Sequence, residues 1–179
     1  LGKDVILMKP GVQLEPLLEE IVSDLKFNAD KKGIYLKLEK LEESLAINAD
    51  REKLKAALFN IVDNAIKYTP TGGVLVQVKN HGTAKIIISD TGIGMSPENL
   101  KTLFTRMFER AEGAKKGAMM GSGIGLYLAC QIIKSHCGKI WAESEGEGKG
   151  SVFHIELPVG NTPVISQGAK DQPQIINNL

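Results

Sequence analysis

A two-layer α+β sandwich is the fold class that the sequence predicts, with a mixed, mostly antiparallel sheet and its helices on one face. Three long segments place apolar residues three or four positions apart, as amphipathic helices do. Shorter segments alternate apolar and polar residues or are rich in β-branched residues, as strands are. Two of these strands are joined directly at His81-Gly82, and so short a connection favours an antiparallel pair.

Composition limits the classes of function. The 179 residues suffice for one domain with a sizeable core, and 42% hydrophobic and 24% charged residues are ordinary for a soluble globular protein. A net charge of +1 provides no field that would attract nucleic acid. No apolar run approaches the roughly 20 residues of a membrane span, and no signal-peptide pattern opens the chain. We therefore expect a cytoplasmic domain that does not bind nucleic acid.

Three regions are expected along the chain. Residues 1–11 contain Pro10 and Gly11 and are interpreted as a lead-in from a larger parent protein. Residues 12–158 form the domain. Residues 159–179 are rich in Asn, Gln, Pro and Gly without periodicity, and we expect them to be poorly ordered.

The first half of the domain is predicted to contain two helices and two strands. The first helix is followed by Gly33, which ends it, and the second begins at Asp50, a good N-cap. Strands are predicted at residues 34–38 and 45–49. The apolar stripes of the helices are Leu14, Leu18, Ile21, Leu25 and Ala29 in the first, and Leu54, Leu58, Ile61 and Ala65 in the second. Pro70, Gly72 and Gly73 end the second helix.

The second half is predicted to contain four strands and two helices. The strands are residues 74–79, 85–89, 139–144 and 151–157. A short helix begins at Ser96-Pro97, where Ser caps and Pro takes the first turn. Residues 109–122 are rich in Gly, Lys and Ala and are interpreted as a mobile loop. The third long helix runs from the turn 123–126 to Gly138 and carries Cys130 and Cys137, roughly 10 Å apart and so too distant for a disulfide.

Three side chains on the second helix could carry chemistry. Asn60, Asn64 and Lys67 are spaced i, i+4 and i+7, so they share one stripe beside the apolar face. A carboxamide oxygen could ligate Mg²⁺, and a lysine could pair with phosphate. The stripe is equally compatible with a solvated face that carries an Asp63–Lys67 ion pair.

The segment 90–94 (DTGIG) follows a strand of β-branched residues. Its glycines let the backbone turn sharply and approach a flat ligand, and Asp90 at the strand end could accept a hydrogen bond from an exocyclic amine such as that of adenine. An ordinary turn between a strand and a helix has the same composition and, on this segment alone, is favoured.

The segment 121–126 (GSGIGL) opens the third long helix. Glycines at a helix start expose backbone N–H groups where the helix dipole favours anions, which suits phosphate. The spacing matches neither a dinucleotide fingerprint nor a Walker A loop, so the motif alone is weakly informative. The preceding basic loop is compatible with a lid over a nucleotide or with a plain exposed loop. Its aromatic and basic residues are Phe104, Phe108, Arg110, Lys115 and Lys116.

Together and in this order, these segments resemble the sequence boxes of sensor histidine kinases. Residues 60–69 (NIVDNAIKYT) are similar to the N box, residues 90–94 to the G1 box, residues 103–110 (LFTRMFER) to the F box and residues 121–126 to the G2 box. Residues 138–144 (GKIWAES) resemble the strand that usually follows. The resemblance covers residues 12–158 and implies the Bergerat ATP-binding fold, which DNA gyrase B, the 90-kilodalton heat-shock chaperone and the mismatch-repair ATPases share.

The resemblance also implies roles for individual residues toward ATP and Mg²⁺. It makes Asp90 the partner of the adenine amine, with Gly92 and Gly94 beside it, and Asn64 the ligand of Mg²⁺. Asn60, Lys67 and Arg110 are implied to act on the phosphates. The remaining nucleotide-binding positions are Tyr68, Phe108, Gly121, Ser122, Gly123, Gly125 and Leu126.

One position departs from the gyrase-like ATPases, which carry a Glu one turn before the Mg²⁺-binding Asn. Here that position is Asn60, and an amide cannot take a proton from water, so transfer to a protein nucleophile is favoured over hydrolysis. None of His81, His136 and His154 is followed by the acidic residue of the phospho-accepting motif. We therefore expect all three to be structural or surface residues and the chain to be unable to phosphorylate itself.

The resulting expectation is a catalytic domain that transfers the γ-phosphoryl group of ATP to a histidine on a separate dimerisation and phosphoacceptor domain, which then serves a response regulator. The fragment itself is expected to be monomeric, and the parent could be anchored in the inner membrane. Two alternatives remain: a serine kinase of the same fold, as among anti-sigma factors, and a nucleotide-binding regulatory module without catalysis.

Overall fold

The computed structural model describes residues 6–39, 44–104 and 124–159. Within these ranges the strands are β1 (Lys9–Gln13), β2 (Tyr35–Glu39), β3 (Ala46–Ala49), β4 (Gly73–Asn80), β5 (Thr83–Asp90), β6 (Lys139–Glu143) and β7 (Ser151–Pro158). The helices are α1 (Leu14–Lys32), α2 (Arg51–Tyr68), α3 (Pro97–Thr102) and α4 (Ile124–Ser135). The mobile loop predicted at residues 109–122 and most of the tail predicted from residue 159 lie outside the described residues.

Five strands form the main sheet in the order β2-β4-β5-β7-β6. The β2–β4 pair is parallel and the other three pairs are antiparallel, so the predicted mixed, mostly antiparallel sheet is confirmed. This order makes β5 the central strand. The carboxyl end of β5, at Asp90, therefore lies beside the start of β4 and the start of β7.

A second, two-stranded sheet pairs β1 with β3 in antiparallel register, from Lys9 opposite Ala49 to Gln13 opposite Ala46. Strand β1 was not predicted from the sequence, because Pro10 and Gly11 are poor strand formers. Its partner lies more than 30 residues away along the chain, so no local pattern indicates the pairing.

Helix boundaries follow the predicted capping residues. The side chain of Asp50 accepts a hydrogen bond from the backbone N–H of Lys53 at 3.2 Å, and Gly33 adopts φ 69° at the C-terminus of α1. The side chain of Lys32 then joins the two helices. Its Nζ donates to the carbonyl oxygens of Ile66 at 2.6 Å and Lys67 at 2.9 Å at the C-terminal end of α2, where the Ile66 carbonyl also accepts from the N–H of Thr69.

The core lies between the helices and one face of the main sheet. Along β7 the burial alternates strictly, so that Phe153, Ile155 and Leu157 face the helices while Val152 and His154 face outward. Burying each large aliphatic side chain contributes about 1.5–3 kcal/mol. The helical side of the core includes Leu17, Leu18, Ile21, Leu25, Leu54, Leu58, Ile61, Ala129 and Ile133.

Two of the three histidines, His136 and His154, are held by contacts within the fold. The buried His136 accepts a hydrogen bond at Nε2 from the backbone N–H of Asp50, at 3.0 Å, so its Nδ1–H donates to the carbonyl of Ile132 at 2.8 Å. On the outer face of the sheet, His154 stacks on Trp141 with ring centroids 4.9 Å apart. That none of the three histidines accepts a phosphoryl group stays a prediction.

Helix α4 ends earlier than predicted, at Ser135, because His136 turns into the core and Cys137 adopts φ 57°. Cys130 is buried in α4 and Cys137 is exposed just beyond it, and both are free thiols, as expected. None of the described helices is long and apolar enough to cross a membrane.

Candidate functional site

Asp90 lies where three segments meet, at the last residue of β5. Its Oδ1 accepts hydrogen bonds from the backbone N–H of Gly92, at 2.8 Å, and from that of Ser151, at 3.2 Å. Both of these donors engage the same oxygen. No described residue donates a hydrogen bond to Oδ2, so Oδ2 is the carboxylate oxygen that a ligand could use.

Burial raises the pKa of the Asp90 carboxyl, and the hydrogen bonds from Gly92 and Ser151 offset only part of this shift. Desolvation raises the pKa because it penalises the charged form. A partly desolvated carboxylate with one open oxygen gains most from a ligand that donates a hydrogen bond to it.

The turn after Asp90 packs closely against the end of α2. The N–H of Ile93 donates to the carbonyl of Tyr68 at 3.0 Å, and a Cβ on Gly92 would overlap that same carbonyl. Tyr68 therefore adjoins the turn, as the predicted site requires. Thr91 fixes the other side, since its hydroxyl donates to the carbonyl of Thr71 at 2.8 Å and accepts from the N–H of Gly73 at 2.9 Å.

The residues 144–150 connect β6 to β7 and brace the same turn from behind. The N–H of Gly148 donates to the carbonyl of Ile93 at 2.6 Å, and the N–H of Gly150 donates to the carbonyl of Gly92 at 3.0 Å. Gly94, at φ 67°, lies so close that a Cβ there would overlap the carbonyl of Gly146. Only glycine fits this conformation and this approach.

The polar stripe of α2 lies beside the start of α4. Asn60 and Asn64 are half-buried, and a Cβ on Gly125 would lie 3.2 Å from Oδ1 of Asn60. The structure thus brings Asn60 of the N-box segment next to Gly125 of the G2-box segment. Lys67 is half-exposed, and its Nζ pairs with Asp63 at 2.6 Å, which is the ion pair that the alternative interpretation of this stripe predicts.

Leu126 does not face an open site. Its side chain is 7% exposed and belongs to the core, so only its backbone is available to a ligand. Phe104, at the end of the described part of the F-box segment, contacts Phe153 edge to face with centroids 6.5 Å apart. Five predicted site residues lie outside the described residues: Phe108, Arg110, Gly121, Ser122 and Gly123.

Sequence reasoning missed Lys32, Ser144 and Ser151. The side chain of Lys32 donates hydrogen bonds to the last carbonyls of α2. The hydroxyl of Ser144 is hydrogen-bonded both to the turn and to the loop behind the turn. The backbone N–H of Ser151 donates to Asp90, which lies 61 residues earlier in the chain. These contacts are made by residues that are distant in sequence. The glycine repeat at residues 146–150 was the one local signal, because three alternate glycines next to a strand indicate close backbone approach.

The described residues fit a nucleotide. Gly92 and Gly94 let the turn after Asp90 pack against the carbonyls of Tyr68 and Gly146, which side chains would overlap. Asp90 offers a partly desolvated carboxylate oxygen, Oδ2, to which no described residue donates a hydrogen bond. The carboxamide of Asn60 lies near Gly125 at the start of α4, and that of Asn64 is half-buried one turn further along α2. A base with an exocyclic amine suits the carboxylate, and carboxamide oxygens suit a hard cation such as Mg²⁺.

Residues 49–161 match the family model of histidine kinase-, DNA gyrase B- and HSP90-like ATPases. The chain belongs to this family. The predicted Bergerat fold and the resemblance to sensor histidine kinases are thereby confirmed.

Two curated relatives of this ATPase domain are kinases. The adaptive-response sensory kinase SasA of Synechococcus elongatus is 35% identical over 161 residues, which are 88% of this chain and 41% of the relative. The histidine protein kinase DivJ of Caulobacter vibrioides is 37% identical over 145 residues, 79% of this chain and 24% of the relative. The chain thus spans less than half the length of each relative.

Two solved structures resemble the ATPase domain closely. Full-length ShkA in complex with AMPPNP is 26% identical with a TM-score of 0.73, over 88% of this chain and 32% of that one. The histidine kinase ThkA in complex with the response regulator protein TrrA is 25% identical with a TM-score of 0.71, over 88% of this chain and 43% of that one.

The raised pKa of Asp90 predicts how stability depends on pH. A raised folded-state pKa contributes stability that is fully present below the ordinary pKa of Asp and is lost as pH rises through the folded-state value. Relative to the neutral variant Asp90→Asn, the wild type should therefore lose unfolding free energy as pH rises through the acidic range. Urea denaturation over a pH series measures this difference, and a difference that does not change with pH contradicts the assignment.

Proposed function

We propose that this domain binds Mg²⁺-ATP and catalyses transfer of the γ-phosphoryl group to a histidine on the phosphoacceptor and dimerisation domain of the same kinase. The observation that carries the proposal is the partly desolvated Asp90 carboxylate, whose Oδ1 is held by two backbone donors while no described residue donates to Oδ2. The AMPPNP bound by the structurally similar ShkA supports ATP as the ligand.

The adenine end of ATP is assigned to Asp90 and the turn behind it. Oδ2 accepts the hydrogen bond of the exocyclic amine, while Gly92 and Gly94 allow the turn that follows Asp90 to pack against the carbonyls of Tyr68 and Gly146. The close packing of Gly92 on the carbonyl of Tyr68 supports a contact of the end of α2 with the base and the sugar. Guanine carries a carbonyl where adenine carries its amine, so it would set an acceptor against the carboxylate.

The phosphate end is assigned to the polar stripe of α2 and the start of α4. Asn64 is the proposed Mg²⁺ ligand, and Asn60, next to Gly125, is a proposed phosphate contact. For Lys67 to reach phosphate, its ion pair with Asp63 must exchange, and such a surface pair contributes only about 0–1 kcal/mol. Mg²⁺ when bound neutralises charge on the phosphates. Arg110, Phe108 and Gly121–Gly123 are proposed to complete this end.

Transfer is favoured over hydrolysis because no carboxylate stands at position 60. Asn60 cannot act as a general base toward water, whereas a neutral imidazole attacks phosphorus without one. The named relatives are sensory or histidine kinases, so neither the serine kinase nor the purely regulatory module is favoured.

The partners follow from the same proposal. The complex of ThkA with TrrA supports a response regulator as the downstream partner of the parent kinase. The domain is proposed to work in the cytoplasm, where ATP is present, and to be monomeric without its dimerisation domain. A parent protein anchored in the inner membrane is compatible with both statements.

The variant Asp90→Asn tests the adenine assignment. The two backbone donors will hold the amide oxygen at the position of Oδ1, so the amide NH₂ group turns toward the adenine amine and sets donor against donor. Affinity for ATP should fall at least about 100-fold while the fold is retained. Isothermal titration calorimetry measures the affinity, with Asp30→Asn on the exposed side of α1 as the matched control. Equal affinity of wild type and Asp90→Asn would refute the assignment.

A second test addresses the acceptor. Incubated with labelled ATP, the chain alone should incorporate no acid-labile phosphate, because its three histidines are not acceptors. Added phosphoacceptor domain from the parent kinase should become labelled, and Asn64→Ala should abolish that labelling, whereas Asn80→Ala in the exposed β4–β5 hairpin should not. Phosphohistidine on this chain, or labelling that survives Asn64→Ala, contradicts the proposed mechanism.

A further inference from the structure

The loop between β6 and β7 contains a serine whose hydroxyl is the centre of a small hydrogen-bond network. Oγ of Ser144 accepts from the backbone N–H of Met95 at 3.0 Å and donates to the carbonyl of Gly150 at 2.7 Å. Oγ of Ser144 also accepts a hydrogen bond from the backbone N–H of Gly146, with the nitrogen 3.3 Å away. One side chain thus links the exit of the adenine turn to both ends of the loop behind that turn.

The rest of the contact between loop and turn is backbone to backbone. The N–H groups of Gly148 and Gly150 donate to the carbonyls of Ile93 and Gly92. A Cβ on Gly150 would overlap the carbonyl of Asp90. The loop therefore has no other described side chain with which to fix its distance from the turn, since Glu145, Glu147 and Lys149 are all exposed.

The position of the loop determines the environment of Asp90. Ser151, whose backbone N–H donates to Oδ1, is held opposite Asp90 by the β5–β7 pairing, but Gly92, the second donor, depends on the loop. If the loop moves away, the carbonyl of Gly92 loses the hydrogen bond from Gly150, and the turn no longer holds the N–H of Gly92 firmly against Oδ1. The carbonyl of Ile93 also loses the hydrogen bond that it accepts from Gly148.

We propose that Ser144 is a positioning residue for adenine recognition, which acts by locking the β6–β7 loop against the turn that presents Asp90. This inference rests on the proposed ATP-binding function and extends it to a residue that touches no nucleotide. Ser144 lies behind the turn, so its effect on ligand affinity passes through the Met95 and Gly150 contacts.

The experiment compares Ser144→Ala with wild type and with a matched control, Ser135→Ala. Ser135 also makes a side-chain hydrogen bond to the backbone, to the carbonyl of Gln131 at 2.8 Å, but at the exposed end of α4. Affinity for Mg²⁺-ATP is measured by calorimetry well below the unfolding temperature. We expect a loss on the order of tenfold for Ser144→Ala, which corresponds to one or two net hydrogen bonds, and no loss for Ser135→Ala.

Amide hydrogen exchange without nucleotide separates positioning from general destabilisation. Positioning predicts faster exchange at Gly92, Met95, Gly148 and Gly150 in Ser144→Ala, with unchanged exchange at core amides of α2 and β5. A purely structural role predicts faster exchange throughout the domain, and that result overturns the proposal.

The measured affinities for ATP also distinguish the positioning role of Ser144 from the proposed ATP-binding function. Unchanged affinity in Ser144→Ala, with wild type binding ATP normally, overturns the positioning role and leaves the proposed function intact. Failure of the wild type to bind ATP overturns both.

Discussion

The site depends on how one carboxylate is held at the end of the central strand. Asp90 is partly buried, which raises its pKa, and it is tolerated because Gly92 and Ser151 each donate a backbone hydrogen bond to Oδ1. Those donors come from the turn after β5 and from the start of β7. The sheet order β2-β4-β5-β7-β6 is what brings them to the same oxygen. An ordinary surface Asp would be solvated on both oxygens and would discriminate poorly between ligands.

Two layers of support surround this carboxylate. In front, the carbonyl of Tyr68 fixes the turn to α2, whose own end is held by Lys32 from α1. Behind, the residues 144–150 fix it to the edge of the sheet through Ser144. Helices α2 and α4 are joined at both ends of α4, since Gly125 lies close to Asn60 while His136 accepts a hydrogen bond from the backbone N–H of the N-cap Asp50. The two halves of the proposed ATP site are therefore built on the same helix, α2.

Much of this architecture was predictable from local sequence. The N-cap Asp50, the helix-ending Gly33 and the strand at residues 151–157 each depend on a few neighbouring residues, and all three were predicted. What escaped prediction is nonlocal. Strand β1 has a poor strand sequence and pairs only because β3 is available, and Ser144 acquires its role from Met95, 49 positions earlier. The side-chain direction of Leu126, which points into the core, was likewise decided by packing and not by the glycine motif that contains it.

The central claim is that ATP is recognised at the end of β5 by Asp90 and the turn that follows it. An NMR titration of the isotopically labelled chain with Mg²⁺-ATP tests this claim most directly. The account predicts saturable shifts with one common affinity at the amides of Gly92, Gly94, Gly125 and Ser151, and no shift at Trp141 on the outer face of the sheet. Saturable shifts that spare Gly92, Gly94 and Ser151 would contradict it.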